Sequence, residues 1–343
     1  MKQFGKGKTI ALVMPEDHNL YQMIIKNLKY YGFNVIFRHK SKYESVLDLC
    51  YVPIIRKLRK IFLKDKHYKE RVLNKRFIDK LNKHVKNTGK KIDYALFIRG
   101  DECLIDLLYD LKLLSNKMIN YQWDGVDVFP SVLSRITFFD RFFIFDRNDL
   151  IKYPQYNLSL TTNFYFDFDD VKKHITDNKL SPSLYFLGGH AENRIDSIKY
   201  FLNMINNSGY QVNFYIQIYK NTQKSYYQEY NINVSKSNIF FNENIKLVQQ
   251  NTVLVDFVNS RHNGLSFRTF EALYYGKKLI TTNRSIVTYD FYHPDNIFIW
   301  DGEHLEIEEL QAFLAKPYMD LPNKIVQKYS FENWIKTILG ITE

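Results

Sequence analysis

Cysteine is scarce: Cys50 and Cys103 are the only two in 343 residues. Their separation has no metal-ligand spacing, which excludes a disulfide framework and a cysteine-based zinc site. The expectation is two free buried thiols in a reducing compartment. Long apolar runs are lacking as well. The first residues, MKQFGKGKTIALVMPEDHN, contain an apolar run of only six before charge returns. That pattern fits neither a signal peptide nor a membrane span, and no other segment reaches about 18 apolar residues. A soluble, cytoplasmic protein is therefore expected. There is no GxGxxG dinucleotide fingerprint and no P-loop. No DNA- or RNA-binding signature accompanies the chain's charge, so no nucleic-acid partner is expected.

What the chain does have is length, apolar content and charge concentrated in one place. With 343 residues and 45% hydrophobic content, two domains with substantial cores are expected. Net charge is +11, but residues 56–91 hold 15 Lys or Arg against three acids, a net of +12, which leaves the remainder near −1. Within this basic segment Ile54, Ile55, Leu58, Ile61 and Phe62 begin an amphipathic pattern, which Val72, Phe77, Ile78 and Leu81 continue. A helix of this kind can lie on an anionic membrane. It is equally the pattern of ordinary surface helices with a solvated basic face.

Taken in order, Thr9–Met14 reads as a strand, Pro15–Asn19 as its loop, Leu20–Tyr31 as a helix closed by Gly32, and Asn34–Arg38 as a strand. This β-loop-α-β start predicts a doubly wound domain. A basic helical insertion follows at about 43–91. Further strands are predicted at Asp93–Ile98, Lys117–Tyr121 and Arg141–Phe145, each followed by acids. Asp101 and Asp124 follow their strands most closely and are the candidate general bases or nucleophiles, or else turn and cap residues. His18, after the first strand, is a weaker candidate. The pattern loosens between Pro154 and Pro182, where the domain junction is placed. Leu184–Leu187 then opens a second α/β unit, with Gly188-Gly189-His190 as its turn and Arg194 just ahead of a helix from Ile195 to Asn206. Strands are expected at Val212–Ile218, Ile239–Phe240 and Ile297–Trp300, a helix at Glu243–Gln250, and a terminal helix at Ser330–Leu339 with Ser330 as cap.

The most informative stretch is Val253–Asn283, VLVDFVNSRHNGLSFRTFEALYYGKKLITTN. It reads as buried strand, polar glycine loop, helix ending at Gly276, and a second strand. Such a βαβ unit places the loop at the carboxyl edge of a parallel sheet, where ligands of open α/β sheets bind. Phe267, Phe270, Leu273 and Tyr274 keep the spacing of a buried face. Arg268 and Glu271 fall together on the other face, one turn apart. A cation in the first turn opposes the helix dipole, so it suggests a nearby anion such as phosphate. The other reading is a simple Arg–Glu pair.

The run NGLSFRTFEALYYGKKLITTN, with TYDFYHPDNIFIWD after it, resembles bacterial glycosyltransferases of capsule and lipopolysaccharide assembly with the GT-B architecture. YALFIRGDECL, YQWDG and FFDRFFIFDRNDL resemble the N-terminal half of that group, and LYFLGGHAENR the opening of its donor domain. The resemblance implies an α/β fold of two Rossmann-like domains facing across a cleft. Residues 1–165 would bind the acceptor and 166–325 a nucleotide-sugar donor, and a C-terminal helix, 326–343, would cross back to the first domain. It implies that Gly188, Gly189 and Arg194 lie near the diphosphate. Gly264, Leu265, Ser266 and Thr269 would line the phosphate site, with Arg268 as counter-charge. Glu271 would accept hydrogen bonds from ribose hydroxyls, and Asp101 or Asp124 would serve the acceptor. No cofactor and no metal are implied; the donor is a substrate. The acceptor would be a saccharide or a lipid-linked sugar, met through the basic segment on the inner face of the cytoplasmic membrane. Many retaining members carry two glutamates eight positions apart; here the first of these positions is Asn263, which leaves the stereochemistry open. Two rival functions fit the same residues. One is a GT-B-fold sugar- or nucleotide-binding protein without catalysis. The other is a polyol-phosphate transferase of wall polymers using histidines such as His18 and His262.

Overall fold

Strands that are apolar along their whole length must be covered on both faces, which is the situation of a parallel sheet flanked by helices. The computed structural model, which describes residues 3–40, 46–168, 182–259 and 262–341, contains two such sheets. The chain divides into two units. Unit 1 comprises Met1–Ile144, Lys152–Ser159 and Ile338–Glu343; unit 2 comprises Phe145–Ile151 and Leu160–Thr337.

Unit 1 begins with β1 (Thr9–Val13), α1 (Leu20–Tyr30) and β2 (Asn34–Phe37). The basic insertion then forms two helices, α2 (Val46–Phe62) and α3 (Tyr68–Thr88). β3 (Ile92–Ile98), α4 (Ile105–Leu114), β4 (Ser115–Gln122) and β5 (Arg141–Ile144) follow. Beyond a short helix, α5 (Arg147–Lys152), β6 (Leu158–Leu160) completes a six-stranded sheet of order β2-β1-β3-β4-β5-β6. The four pairings from β2 to β5 are parallel. Ile10, Leu12, Ala95, Leu96, Phe97, Ile98 and Ile119 are fully buried along it. Leu73, Phe77 and Leu81 of α3 are buried too, so this helix is integral to the unit rather than an appendage.

Unit 2 holds β7 (Ser183–Gly189), α6 (Ile195–Ile205), β8 (Gln211–Gln217), β9 (Asn233–Ser235), α7 (Phe241–Gln250), β10 (Val253–Asp256), α8 (Phe267–Tyr275), β11 (Lys278–Thr281) and β12 (Ile297–Ile299). Three further helices are α9 (Ile307–Ala315), α10 (Asn323–Lys328) and α11 (Phe331–Leu339). Its sheet has the order β12-β11-β10-β7-β8-β9, every pairing parallel. The alternation of side chains along a strand assigns the two faces. Leu184, Phe186, Val253, Val255 and Ile280 pack with Ile198, Phe201, Leu310 and Phe313 of α6 and α9. Tyr185, Leu254 and Leu279 pack with Val248, Phe270 and Leu273 of α7 and α8.

Two helix boundaries follow directly from local chemistry. Gly276 takes the left-handed conformation (φ 62°) that ends α8, and its N–H returns to the Ala272 carbonyl. Ser330 Oγ accepts the Asn333 N–H, capping α11 as its hydroxyl predicts. Trp334 and Phe331 of that helix stack on Phe164 and Phe166 within unit 2. From Ile338 onward the chain belongs to unit 1, where Arg141 donates to the Ile338 carbonyl.

Three expectations are corrected. Ile239–Phe240 forms no strand; the strand lies earlier, at Asn233–Ser235, and Phe240 leads into α7. Two apolar residues are too few to hold a ladder against the neighbouring helix start. Gly188 and Gly189 are not a free turn but the end of β7, paired with Ile216 and Gln217 of β8. The helix α8 is buried almost all round, with Glu271 only 5% exposed, because α7 covers the face expected to meet solvent. Cys103 is free and buried, its thiol pushed up to about 12 by burial. The side chain of Cys50 lies outside those described, as do Ser260 and Arg261 of the glycine loop.

Candidate functional site

In unit 2 the chain winds outward from β7 to β8 and β9 on one side, and from β10 to β11 and β12 on the other. Open α/β sheets bind ligands outside the carboxyl ends of the strands at such a reversal. Here those ends are Leu187–Gly189 and Asp256, with the start of α8 beyond them.

Two guanidinium groups occupy this edge. Arg268 Nη1 donates to Asp256 Oδ1 at 2.9 Å, and its Nη2 donates to the Leu187 carbonyl. Arg194 Nη2 donates to the Gly189 carbonyl and Nη1 to the Phe257 carbonyl at 3.4 Å. Both cations sit over the ring of Phe186, 5.0 Å from its centroid for Arg268 and 5.6 Å for Arg194. The Nε atom of each is buried and unpartnered. Burial lowers the pKa of Arg194, and the Arg268 charge beside it lowers it further. A single buried carboxylate, Asp256, faces the pair; it also accepts from Ser266 Oγ at 2.9 Å and Thr281 Oγ1 at 3.4 Å. Two half-buried cations with one ion-paired carboxylate among the described residues leave positive charge that an anion would balance.

The loop before α8 is pinned at several points. The Asn263 N–H donates to Asp146 Oδ2 at 2.7 Å, and Asn283 Nδ2 and Ser285 Oγ each donate to the Asn263 carbonyl at 3.1 Å. Asn163 Nδ2 donates to the Leu265 carbonyl at 2.9 Å. Gly264 is obligatory for close approach: a Cβ there would lie 2.3 Å from the Phe145 ring. Fixed in this way, the N–H groups of Gly264, Leu265 and Ser266 have no acceptor among the described residues. Pre-aimed donors of this kind cost no reorganisation when an anion arrives. His262 packs on Phe145 with its Nδ1 buried and unpartnered, and Thr269 is buried.

Glu271 lies near this charge cluster but makes no ion pair with it. Its Oε1 accepts from Asn244 Nδ2 at 2.9 Å, and Asn244 Oδ1 accepts from the Tyr185 hydroxyl at 2.9 Å. Burial pushes its carboxyl up to about 7 against the pull of Arg268. Arg268 thus pairs with Asp256, and not with Glu271. Beyond β12 lies a cavity of about 450 Å3 lined by Arg284, Phe298, Trp300, Asp301, His304 and Glu309; neither Arg194 nor Arg268 borders it.

Unit 1 has its own reversal, between β1 and β3. Arg99 stands there in the left-handed region (φ 60°), a conformation that non-glycine residues hold only when their surroundings enforce it. Its side chain gathers three carboxylates: Asp101 at 2.9 Å, Glu102 at 3.2 Å and Asp124 at 3.3 Å. It also lies over the Phe129 ring at 3.5 Å. The acids after β3 and β4 do converge, but on a cation. Asp101 is 4% exposed and takes a further hydrogen bond from Gln122 at 3.0 Å, whereas Asp124 is 31% exposed. Lys40 pairs with Glu102. His18, after β1, is exposed and in the left-handed region. The acid after β5, Asp146, belongs to unit 2, where it pins Asn263 and accepts the Asn148 N–H at 3.0 Å.

Sequence reasoning missed Asp256, Asp146, Asn163, Asn283 and Arg99. Two had a visible signal: Asp256 as an acid inside the apolar run VLVDFV, and Asp146 as the first acid after the strand expected at Arg141–Phe145. Among the described residues no group of three or more His, Cys, Asp or Glu is placed to hold a metal ion, and no helix is long and apolar enough to cross a membrane.

No family model matches the chain, and no curated protein matches it in sequence. Solved structures do match its fold. A lipopolysaccharide outer core galactosyltransferase, WaaB, in its apo form, aligns over 97% of this chain and 100% of its own, with a TM-score of 0.55 at 11% identity. The N-terminal domain of a Candida albicans trehalose-6-phosphate phosphatase aligns over 99% and 98%, with a TM-score of 0.54 at 10% identity. At such identities the likeness is one of fold, and the fold is the two-unit α/β architecture of the GT-B type.

Proposed function

We propose that the protein is a glycosyltransferase that moves a sugar from a nucleotide-sugar donor to a saccharide or lipid-linked acceptor in bacterial capsule or lipopolysaccharide assembly. The observation that carries this reading is the pair of half-buried guanidiniums, Arg194 and Arg268, with unpartnered Nε atoms and one ion-paired carboxylate between them, beside three loop amides with no acceptor among the described residues, at the reversal of the unit 2 sheet. That arrangement suits the diphosphate of a sugar nucleotide. The galactosyltransferase named above supplies the reaction class by analogy of fold.

In the proposed reaction an acceptor hydroxyl oxygen forms a bond to the anomeric carbon, while the bond from that carbon to the diphosphate oxygen breaks. The nucleoside diphosphate leaves with the bonding electron pair. Arg194, Arg268 and the amides of Gly264, Leu265 and Ser266 stabilise its charge without a bound metal. The hydroxyl proton passes to a base on the unit 1 edge. Asp124 suits this better than Asp101, whose carboxylate is nearly enclosed by Arg99 and Gln122. Glu271 is assigned the ribose hydroxyls through the carboxylate oxygen that Asn244 leaves unoccupied. The basic segment 56–91 keeps the enzyme near an anionic surface, where a lipid-linked acceptor resides.

Calorimetry with nucleoside diphosphates, paired with a donor-turnover assay, tests this reading. Arg268→Ala and Arg194→Ala should each weaken diphosphate binding and lower turnover by about 100-fold, the range seen when one charge-stabilising donor is removed. Unchanged binding and turnover in both variants would remove the assigned site.

A further inference from the structure

The helix α2 has two sides of different fate. Val52 is buried and Ile55 and Arg59 are half-buried, on the side that contacts α3. The apolar residues that the amphipathic pattern marks for a core are not covered. Tyr51 is 59% exposed, Ile54 59%, Leu58 49%, Ile61 62% and Phe62 76%, and Leu63 continues the patch just past the helix end at 64%. At the α-helical repeat the first five fall in an arc of roughly 100°, so they form one continuous stripe. Single exposed apolar side chains are ordinary, but a contiguous row of this kind marks an interaction surface.

Charge identifies the partner. Lys57 borders the stripe on the side away from Ile55, Lys60 lies further round the helix and Arg56 is nearly opposite the stripe, while Lys64 and Lys66 follow the helix; all five are exposed. None has an acidic partner among the described residues. The nearby acids are turned to other work: Asp65 pairs with Arg59 and Arg71, and Glu70 with Arg38. An exposed apolar stripe bordered on one side by the unpaired Lys57, with Lys64 and Lys66 just past its end, matches the boundary between anionic headgroups and acyl chains.

We propose that α2 is the membrane-docking element of this protein, with Tyr51, Ile54, Leu58, Ile61 and Phe62 entering the interface of an anionic bilayer while Lys57, Lys60 and Lys64 reach the headgroups. This rests on the attachment proposed above for residues 56–91 and deepens it. Charge alone holds a protein at the surface and is screened by salt, whereas insertion of the apolar stripe gives binding that persists when salt screens the charges.

Flotation of the full chain with phosphatidylcholine vesicles, with and without phosphatidylglycerol, tests it. The parent protein should float with the anionic vesicles and stay partly bound at high salt. Leu58→Ser/Ile61→Ser/Phe62→Ser should lower the partition coefficient by about 10-fold or more, with its melting transition unchanged because these side chains are already exposed. Lys57→Gln/Lys60→Gln/Lys64→Gln should lose the preference for anionic lipid. Phe62→Trp should show a blue-shifted emission on anionic vesicles relative to the parent. Three results would overturn the inference. If the serine variant binds like the parent, the stripe does not insert, although the charge-based attachment stands. If the parent binds neither vesicle, both ideas fall. If the parent is a dimer by light scattering and the serine variant a monomer, the stripe is instead a contact between two copies of this chain.

Discussion

The two units share a single reversal of winding, though their strand orders differ, and they present opposite charge. Each has a parallel sheet whose winding reverses once, and each gathers ionised side chains at the carboxyl ends of the strands flanking that reversal. In unit 2 two arginines stand at the edge, and one of them, Arg268, pairs with a carboxylate, Asp256. In unit 1 three carboxylates share Arg99, with Lys40 on Glu102. Open α/β sheets bind ligands at such a reversal, and the side chains on each edge set which sign of charge would suit one there. An edge with spare cations suits a phosphate; an edge with spare carboxylates suits a hydroxyl that must lose a proton.

The largest effect that tests this contrast is on turnover. Asp124→Asn should lower kcat by 100- to 10,000-fold, the usual range for a lost general base. Calorimetry should find nucleoside diphosphate affinity unchanged, because that affinity belongs to the other edge. Loss of diphosphate binding in Asp124→Asn would break the division of labour.

Stability tests the contrast from the opposite direction. Removing the shared group strands its partners, so Asp256→Ala in unit 2 and Arg99→Ala in unit 1 should each cost about 3 kcal/mol in urea unfolding, because each leaves buried charge unpaired. If Asp256→Ala leaves stability unchanged, Arg268 is not held by that carboxylate. Saturating nucleoside diphosphate should stabilise Arg99→Ala by the same increment as the parent, and Asp256→Ala by more, because there the anion also replaces the lost carboxylate.

The smallest effect concerns Glu271. Burial raises its carboxyl from the ordinary value of 4.5 to about 7, so the folded state holds the proton more tightly than the unfolded state. Its contribution to stability is therefore full below about pH 4.5 and is lost as the pH rises through 7. Glu271→Gln should abolish this dependence. It should be more stable than the parent at pH 8, on the order of 1–3 kcal/mol, and about equal to it at pH 4. Thermal melts across that range check the sign; a parent that gains stability over the parent-minus-variant difference as pH rises would contradict the buried-acid assignment.

Most of the elements were legible in the chain because their signals are local. The buried strands are continuous apolar runs, as in ALFI of β3 and VLV of β10. Gly276 and Ser330 end and begin helices by their own backbone and hydroxyl chemistry. Arg268 was singled out because a cation in a first helical turn runs against the dipole, and the structure puts it at the sheet reversal. Its partner was misjudged. Spacing within one helix offered Glu271, whereas the structure supplies Asp256 from the strand before the loop. The acids Asp101 and Asp124 were found from their places after strands, but not Arg99, which draws them together from a strained backbone.

The sequence by itself determined the two α/β halves, the boundaries set by glycine and serine, the concentration of positive charge in residues 56–91, and the residue types available at each sheet edge. These depend on periodicity and on side chains acting on their own backbone, and both operate over a few residues. Only the tertiary structure decided which faces are covered. Periodicity gives α8 a polar face and α2 an apolar one, yet α7 buries Glu271 while nothing in the described chain covers Leu58 and Phe62. The phase of a helix about its own axis is written locally. What packs against it is set by elements far away in the chain, and burial, charge pairing and the candidate sites all follow from that packing.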